Sequence, residues 1–334
     1  MNPTIRDVAR QAGVSVTTAS RVLSGSDHPV ATEVRQRVLQ AANKLNFVPN
    51  AFARGLSKRE FRLIGLLVPD VRDPYFVEIA RGIEDLSSQH GYLVVLCNTD
   101  RNPTKERRYV EELHAMRAGI ILLGSAIDRE DHLKDLARYP APVVAIGRHE
   151  LPSSSVLIDN VQGAIDATSH LIELGHRRIA FVSGPPNAST AIDRLEGFRK
   201  AMNQHGLPVD EKLVAEGDFT LESGAAAVDQ LLKLPQPPSA LFAANDQMAM
   251  GVLREAKRQG LRIPQDLAIV GFNGIPAAAQ TDPPLTTIHL SMHRMGQLAA
   301  ELVLRQLKEN YSDRVSVLIK GNLLVRGSTL EQSQ

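Results

Sequence analysis

TIRDVARQAGVSVTTASRVL, residues 4–23, decides how the rest of the chain is read. Thr4 carries a hydroxyl suited to accept a hydrogen bond from an unpaired amide of a first helical turn, and Asp7 puts a negative charge where a helix N-terminus favours one. Ile5, Val8, Ala9 and Ala12 follow at i, i+3, i+4 and i+7, a single apolar stripe. Gly13 then supplies the left-handed conformation that ends a helix. Ser15 caps a second helix whose buried side is Ala19, Val22 and Leu23, which leaves Val16, Thr17, Thr18, Ser20 and Arg21 outward or toward its N-terminal end. Two short helices joined by a glycine-containing turn have the layout of a helix-turn-helix, whose second helix enters the major groove. On this stretch alone, a plain helical hairpin with a solvated Arg21 fits as well.

The charge distribution bears on both readings without deciding between them. The 334 residues carry a net charge of +1, but residues 1–60 hold nine bases against four acids, or +5, and the remainder holds 29 bases against 33 acids, or −4. A basic head on a slightly acidic body suits phosphate binding by one domain, because each neutralised phosphate releases counterions. The length implies two or three domains with ample apolar content for a core. No run of about 18 apolar residues and no charged segment followed by an apolar stretch marks the N-terminus, so the expectation is a cytoplasmic protein with no membrane partner. The single cysteine, Cys97, lies in the apolar run 92–97 and is expected as a buried, reduced thiol.

Downstream, Thr32 is placed to cap a third helix, with Val34, Val38, Ala41 and Leu45 closing a small three-helix core. Pro49 stops it, and residues 50–60, NAFARGLSKRE, are helical in type but too short to be stable alone. From Arg62 onward short β-type runs alternate with amphipathic helical ones, the pattern of parallel sheets with helices on both faces. Shifting the chain by 115 residues superposes Arg62 on Arg177, Ile64 on Ile179, Gly82 on Gly197 and the tripeptide 89–91 on 204–206. In both copies a strand leads through a loop into a helix, with Val77, Ala80 and Ile83 matching Ile192, Leu195 and Phe198 on the expected inner face. Two similar α/β lobes bind ligands where the carboxyl ends of their strands meet across a cleft. Asp73, Tyr75 and Phe76 of the first lobe, and Ala188, Thr190, Ala191 and Arg194 of the second, are therefore expected to face it.

Residues 4–23 resemble the N-terminal signature of the lac repressor and purine repressor family of bacterial transcription regulators, and the likeness runs over almost the whole chain. The resemblance implies a helix-turn-helix domain at 1–49, a hinge helix and linker at 50–61, and a two-lobed core at 62–334 similar to periplasmic sugar-binding proteins. Lobe 1 takes about 62–160 and 291–320, and lobe 2 about 161–290 and 321–334. It also implies a repressor that binds a near-palindromic operator in double-stranded DNA as a homodimer, with a small-molecule effector and no cofactor. Val16, Thr17 and Arg21 are then expected nearest base edges, and Thr4, Ser15, Thr18, Ser20 and Thr32 nearer phosphates. In the hinge, Leu56 stands at the position of a minor-groove wedge, with Asn50, Arg54 and Lys58 within reach of backbone or groove. Tyr75, Phe76, Thr190, Arg194 and Phe219 occupy effector-contact positions, joined by Asn245, Asp246 and Asn273, and less firmly by Arg148. Asp246 has the alternative role of capping the helix it starts.

Two departures bear on the ligand. Ala188 stands where a purine-binding member has arginine, and Asn273 where the family usually has aspartate, so a purine is disfavoured. Aromatic surface beside amide, hydroxyl and guanidinium donors suits a sugar, and Arg194 with Arg148 leaves a sugar acid or sugar phosphate open. Past Arg326 no leucine heptads follow, so a dimer is expected. No GxxxxGK, GxGxxG or GxSxG motif occurs, and His289 and His293 make a weak metal pair, so neither a metal site nor an enzyme is expected. A stand-alone sugar-binding protein or a small-molecule enzyme of the same two-lobed fold is the alternative, and the basic first 60 residues argue against both.

Overall fold

A computed structural model of the chain describes residues 3–24, 28–47, 62–124, 142–149, 153–309 and 313–330. They fall into two compact units, divided after Arg62. The first unit holds α1 (Ile5–Ala12), α2 (Val16–Leu23) and α3 (Thr32–Lys44). Val8, Ala9, Ala12, Ala19, Val22, Val38, Ala41 and Ala42 form its core. Five of these eight are alanines, which lets three short helices pack closely. Gly13 adopts φ 65°, and the Val14 amide returns to the Ala9 carbonyl at 3.0 Å, turning the chain into α2.

One expectation at the helix starts, the Thr32 cap, is corrected. Thr4 and Asp7 form a reciprocal capping box at the start of α1, in which the Asp7 carboxylate accepts the Thr4 hydroxyl at 2.7 Å and the Thr4 amide at 2.9 Å. A carboxylate is the stronger acceptor and takes the hydroxyl proton. Thr32 is the first helical residue of α3 and caps nothing; Ala31 precedes it, and α3 starts without a side-chain cap.

The second unit contains two six-stranded sheets. Lobe 1 is built on β1 (Leu63–Val68), β2 (Leu93–Asn98), β3 (Gly119–Leu123), β4 (Val143–Ile146), β5 (Ser154–Ile158) and β11 (Ser316–Ile319), in the order β11-β5-β4-β3-β1-β2. Lobe 2 is built on β6 (Ile179–Ser183), β7 (Val214–Glu216), β8 (Ala240–Ala243), β9 (Ala268–Asn273), β10 (Thr286–His289) and β12 (Asn322–Leu324), in the order β12-β10-β9-β8-β6-β7. All pairings are parallel except that of β10 with β12, where the chain doubles back at the sheet edge. Three passages of the chain join the lobes, after β5, after β10 and between β11 and β12. At the last, Gly321 runs so close to β10 that a Cβ would lie 2.4 Å from the Ile288 side chain.

Helices α4 (Pro74–Gln89), α5 (Pro103–Ala115) and α10 (Met292–Glu309) cover lobe 1, and α6 (Asn160–Glu173), α7 (Ser189–Gln204), α8 (Leu221–Leu232) and α9 (Asp246–Arg258) cover lobe 2. The offset of 115 residues carries α4 onto α7 from end to end. The equivalent glycines within them do equivalent work: a Cβ on Gly82 would lie 2.0 Å from the His293 carbonyl of α10, and one on Gly197 2.4 Å from the Val161 carbonyl of α6. These close crossings fix which face each helix buries. Ile79, Gly82 and Ile83 are buried in α4, whereas Val77 and Ile192, expected on the inner face, are 48% and 44% exposed. Aromatic side chains fill the centre of lobe 2, with Phe181 stacked on Phe198 and edge-on to Phe242, each at 5.2 Å. Cys97 is buried on β2, and burial raises its thiol pKa. No described helix is long and apolar enough to cross a membrane.

Candidate DNA-reading helix and interlobe cleft

The Ser15 side chain accepts the Thr18 amide at 3.1 Å, capping α2. The cap anchors the end of the helix that carries the exposed Ser15, Val16, Thr17 and Arg21, with Thr18 and Ser20 half-buried beside them. Val16 is 44% exposed, an apolar β-branched residue facing water on a first helical turn. Such a group suits contact with a thymine methyl. Among the described residues Arg21 has no ion-pair partner. Thr4 and Thr32 are exposed at the starts of α1 and α3. Asn50, Arg54, Leu56 and Lys58 lie outside the described residues. Ser15→Ala is expected to remove ~1 kcal/mol from the first unit. Calorimetry of the full chain reads this as a lower melting temperature for that unit's transition; an unchanged transition would mean that the cap contributes nothing.

The second site lies where the carboxyl ends of the two sheets face each other. Beside β1 the strand order reverses between β2 and β3, and beside β6 between β7 and β8, which opens a crevice at each sheet's carboxyl edge. The two crevices form one cleft of about 240 Å³. Lobe 1 lines it with Asp73, Tyr75, Phe76, Arg101 and Arg148, and lobe 2 with Thr190, Arg194, Phe219, Asn245 and Asn273. Ala188 also lines it. Nine of the ten residues named for the effector are therefore brought together.

Asp246 is not among them. Asn245 takes the cap of α9, accepting the Met248 amide at 2.9 Å. Asp246, one residue on, is fully buried behind the cleft, where it accepts from the Thr287 hydroxyl and from the Ile275 amide at 2.8 Å. It pins the end of β9 to β10 and neither caps α9 nor touches the cleft. Ala191 is corrected as well: it is buried and turned toward the outer groove beside Ile192 and Leu195. Arg101, Asn187 and Ser189 were not singled out from sequence, although the loop after β2 is a strand carboxyl end and pointed to Arg101.

Backbone and charge are both under strain here. Phe219 and Asn273 hold φ values of 70° and 111°, conformations that side-chain-bearing residues rarely adopt and that gather at functional sites. The Phe219 ring occupies the space that a Cβ on Gly184 would need, at 2.1 Å. Arg194 is 3% exposed. Its Nε donates to Asn160 Oδ1 at 2.9 Å, Nη1 to the Ala244 carbonyl and Nη2 to Asn273 Oδ1 at 3.3 Å, while its guanidinium lies 3.7 Å from the centre of the Phe272 ring. Burial pushes its pKa down to about 10, still well above neutrality. Asp73 caps α4 by accepting the Tyr75 amide at 3.0 Å, and burial raises its pKa.

Four contacts span the cleft. Arg148 pairs with Asp193 at 2.9 Å, Ser189 donates to the Arg148 carbonyl at 3.4 Å, Arg101 donates to the Asp218 carbonyl at 3.1 Å, and Asp73 is hydrogen-bonded to Gln247. The lobes are thus held together by polar bonds at the rim.

Burial raises the Asp246 pKa to about 7, against the pull of its bonds to Thr287, Ile275 and Gly274. The native state therefore holds a proton there that the unfolded chain, with the ordinary value of 3.8, has already lost. The stability contributed by this group falls as pH rises from about 4 through about 7. Thermal denaturation between pH 5 and 8 is expected to show a steeper decline, or a weaker rise, for the wild type than for Asp246→Asn. Parallel profiles would contradict this.

Residues 62–326 match the family model for periplasmic binding proteins and the sugar-binding domain of the LacI family, and residues 4–50 match that for bacterial regulatory proteins of the lacI family. The chain is similar to the HTH-type transcriptional repressor CytR of Escherichia coli strain K12, with 39% identity over 98% of this chain and 96% of that one. It is 37% identical to the HTH-type transcriptional repressor PurR of Photobacterium profundum, over 97% of this chain and 98% of that one. Among solved structures, the lac repressor dimer bound to operator and the anti-inducer ONPF aligns with a TM-score of 0.88 and 28% identity, covering 99% of this chain and 100% of that chain.

Proposed function

Because the chain belongs to the LacI family of bacterial regulatory proteins, we propose that it is a transcriptional repressor that binds a near-palindromic operator as a homodimer, its grip set by a sugar or sugar derivative in the interlobe cleft. The observation that carries this reading is the capped, outward face of α2 on a basic unit, in one chain with a cleft held shut by cross-lobe bonds. Val16, Thr17 and Arg21 read base edges, while Thr4, Ser15, Thr18, Ser20 and Thr32 meet phosphates. Residues 50–61 serve as the hinge, with Leu56 the minor-groove wedge and Asn50, Arg54 and Lys58 its anchors. Leu93, Val95 and Leu96, exposed on the edge strand β2, are apolar surface suited to burial against a second copy. CytR and PurR are named as repressors, in keeping with a cleft that senses its ligand.

A ligand can shift the lobes only through a difference in its affinity for their closed and open arrangements. Bridging Tyr75 and Phe76 of lobe 1 to Arg194 and Phe219 of lobe 2 supplies that difference, because only the closed cleft presents all four together. The first unit is joined to lobe 1 ahead of β1, so lobe closure is passed to the hinge. Coupling of this kind is typically worth ~1 to 3 kcal/mol and acts in both directions.

Selection of binding sites from a random duplex pool by the full chain tests the DNA arm. A near-palindrome should be enriched, and Arg21→Ala should relax one position in each half-site. Recovery of unrelated sequences at equal affinity would refute sequence-specific reading.

A further inference from the structure

We infer that the ligand of the cleft is an anion, a carboxylate or phosphate on a small hydroxylated skeleton, with its charged group seated between Arg194 and Asn273. The inference rests on the cleft being the effector site. Its first ground is a buried cation without a counter-ion. All three protein acceptors of Arg194 are neutral: two side-chain amides and one backbone carbonyl. Among the described residues no carboxylate touches it. The carboxylates nearby are engaged elsewhere, Asp246 with Thr287 and Ile275, Asp73 with Tyr75 and Gln247, and Asp193 with Arg148. A buried, unpaired charge is strongly unfavourable unless something completes it. A guanidinium has five N–H donors, and three are used, so two remain for a ligand.

The second ground is the polarity of the groups left over. Asn273 uses its oxygen on Arg194, leaving its NH2 as a donor. The Tyr75 and Thr190 hydroxyls line the cleft and make no hydrogen bond among the described residues. Arg101, across the cleft in lobe 1, donates to the Asp218 carbonyl and, among the described residues, has no carboxylate in contact. What the cleft offers is three guanidinium groups, of which that of Arg148 is paired with Asp193, against the one lining carboxylate of Asp73, and the complement of this excess of donors is an acceptor-rich, negatively charged ligand. The volume of about 240 Å³ limits it to roughly the size of one sugar ring.

The test is titration calorimetry of the full chain with D-glucose, D-gluconate, D-glucose 6-phosphate and inorganic phosphate at low millimolar concentration, on the wild type and on Asn273→Asp. The wild type should bind at least one anion saturably, with a Kd about tenfold or more below that of the neutral sugar. Asn273→Asp places a carboxylate beside Arg194. It should weaken every anion by roughly ten- to a hundredfold and raise the melting temperature of the unliganded protein. Preference between gluconate and the 6-phosphate distinguishes the two sources of charge. The inference is overturned if no anion binds saturably, if glucose binds as tightly as its anions, or if Asn273→Asp leaves anion binding unchanged. Phe219→Ala separates this failure from that of the site itself. Binding of a neutral sugar that is lost in Phe219→Ala and unmoved in Asn273→Asp would keep the cleft as the effector site and remove only the charge.

Discussion

Arg194→Met should abolish the effect of ligand on operator affinity while leaving unliganded operator binding within a few-fold of wild type. Arg194 is the residue through which α7, the ends of β8 and β9 and the start of α6 are tied into one wall of the cleft. A ligand that completes its hydrogen bonds gains most when both lobes are closed on it. Removing the guanidinium removes that difference, so a coupling of ~1 to 3 kcal/mol, about 5- to 150-fold in affinity, should fall to none. The fold should survive, because the cost of leaving the Asn160, Ala244 and Asn273 oxygens without their donor is offset by removal of an unpaired buried charge and by an apolar chain of similar length. Fluorescence anisotropy of a labelled operator, titrated with and without ligand, measures both quantities. A variant that folds and still responds fully would take Arg194 out of the mechanism.

Gly251→Ala should destabilise the second unit by ~3 kcal/mol or more, the upper part of the range for overpacking. A Cβ at this position would lie 1.9 Å from the Leu221 carbonyl oxygen and 3.0 Å from the Ala225 amide. Both are backbone atoms of α8, so no side chain can swing away; α8 and α9 must separate. The reciprocal contact blocks any sliding adjustment, since a Cβ on Gly224 would lie 2.1 Å from the Met248 carbonyl of α9. For a unit of this size the melting temperature should drop by roughly 10 °C. The displacement would also reach the cleft, because α9 is capped by Asn245, whose side chain donates to the Phe219 carbonyl at 2.9 Å. An unchanged melting temperature would mean that these helices are not packed backbone to backbone.

What was legible in the sequence was local or repeated. Gly13 and Ser15 specify a turn and a cap with their own atoms and their immediate neighbours, and both act so in the structure. The duplication was visible because equivalent glycines serve equivalent helix crossings in each lobe, and with it came the strand-to-helix loops that carry Asp73, Tyr75, Thr190 and Arg194 into the cleft. Less legible were features set by distant partners. Asp246 has the sequence position of a helix start, yet its role is decided by Thr287, 41 residues downstream. Val77 and Ile192 fit an apolar stripe, and only the approach of α10 to Gly82 and of α6 to Gly197 turns them outward. Arg101 sits on a strand-end loop, a local signal, but its bond to the Asp218 carbonyl at 3.1 Å across the cleft has none.

The reading as a whole depends on the cleft and the operator being coupled. The most direct measurement is the affinity of the full chain for its selected operator as a function of a ligand shown to bind, in the wild type and in Phe219→Ala. Coupled sites require that saturating ligand change the wild-type operator affinity by about fivefold or more, and that Phe219→Ala bind the operator normally but lose the change. An operator affinity that stays the same while the ligand saturates the wild-type cleft would contradict it.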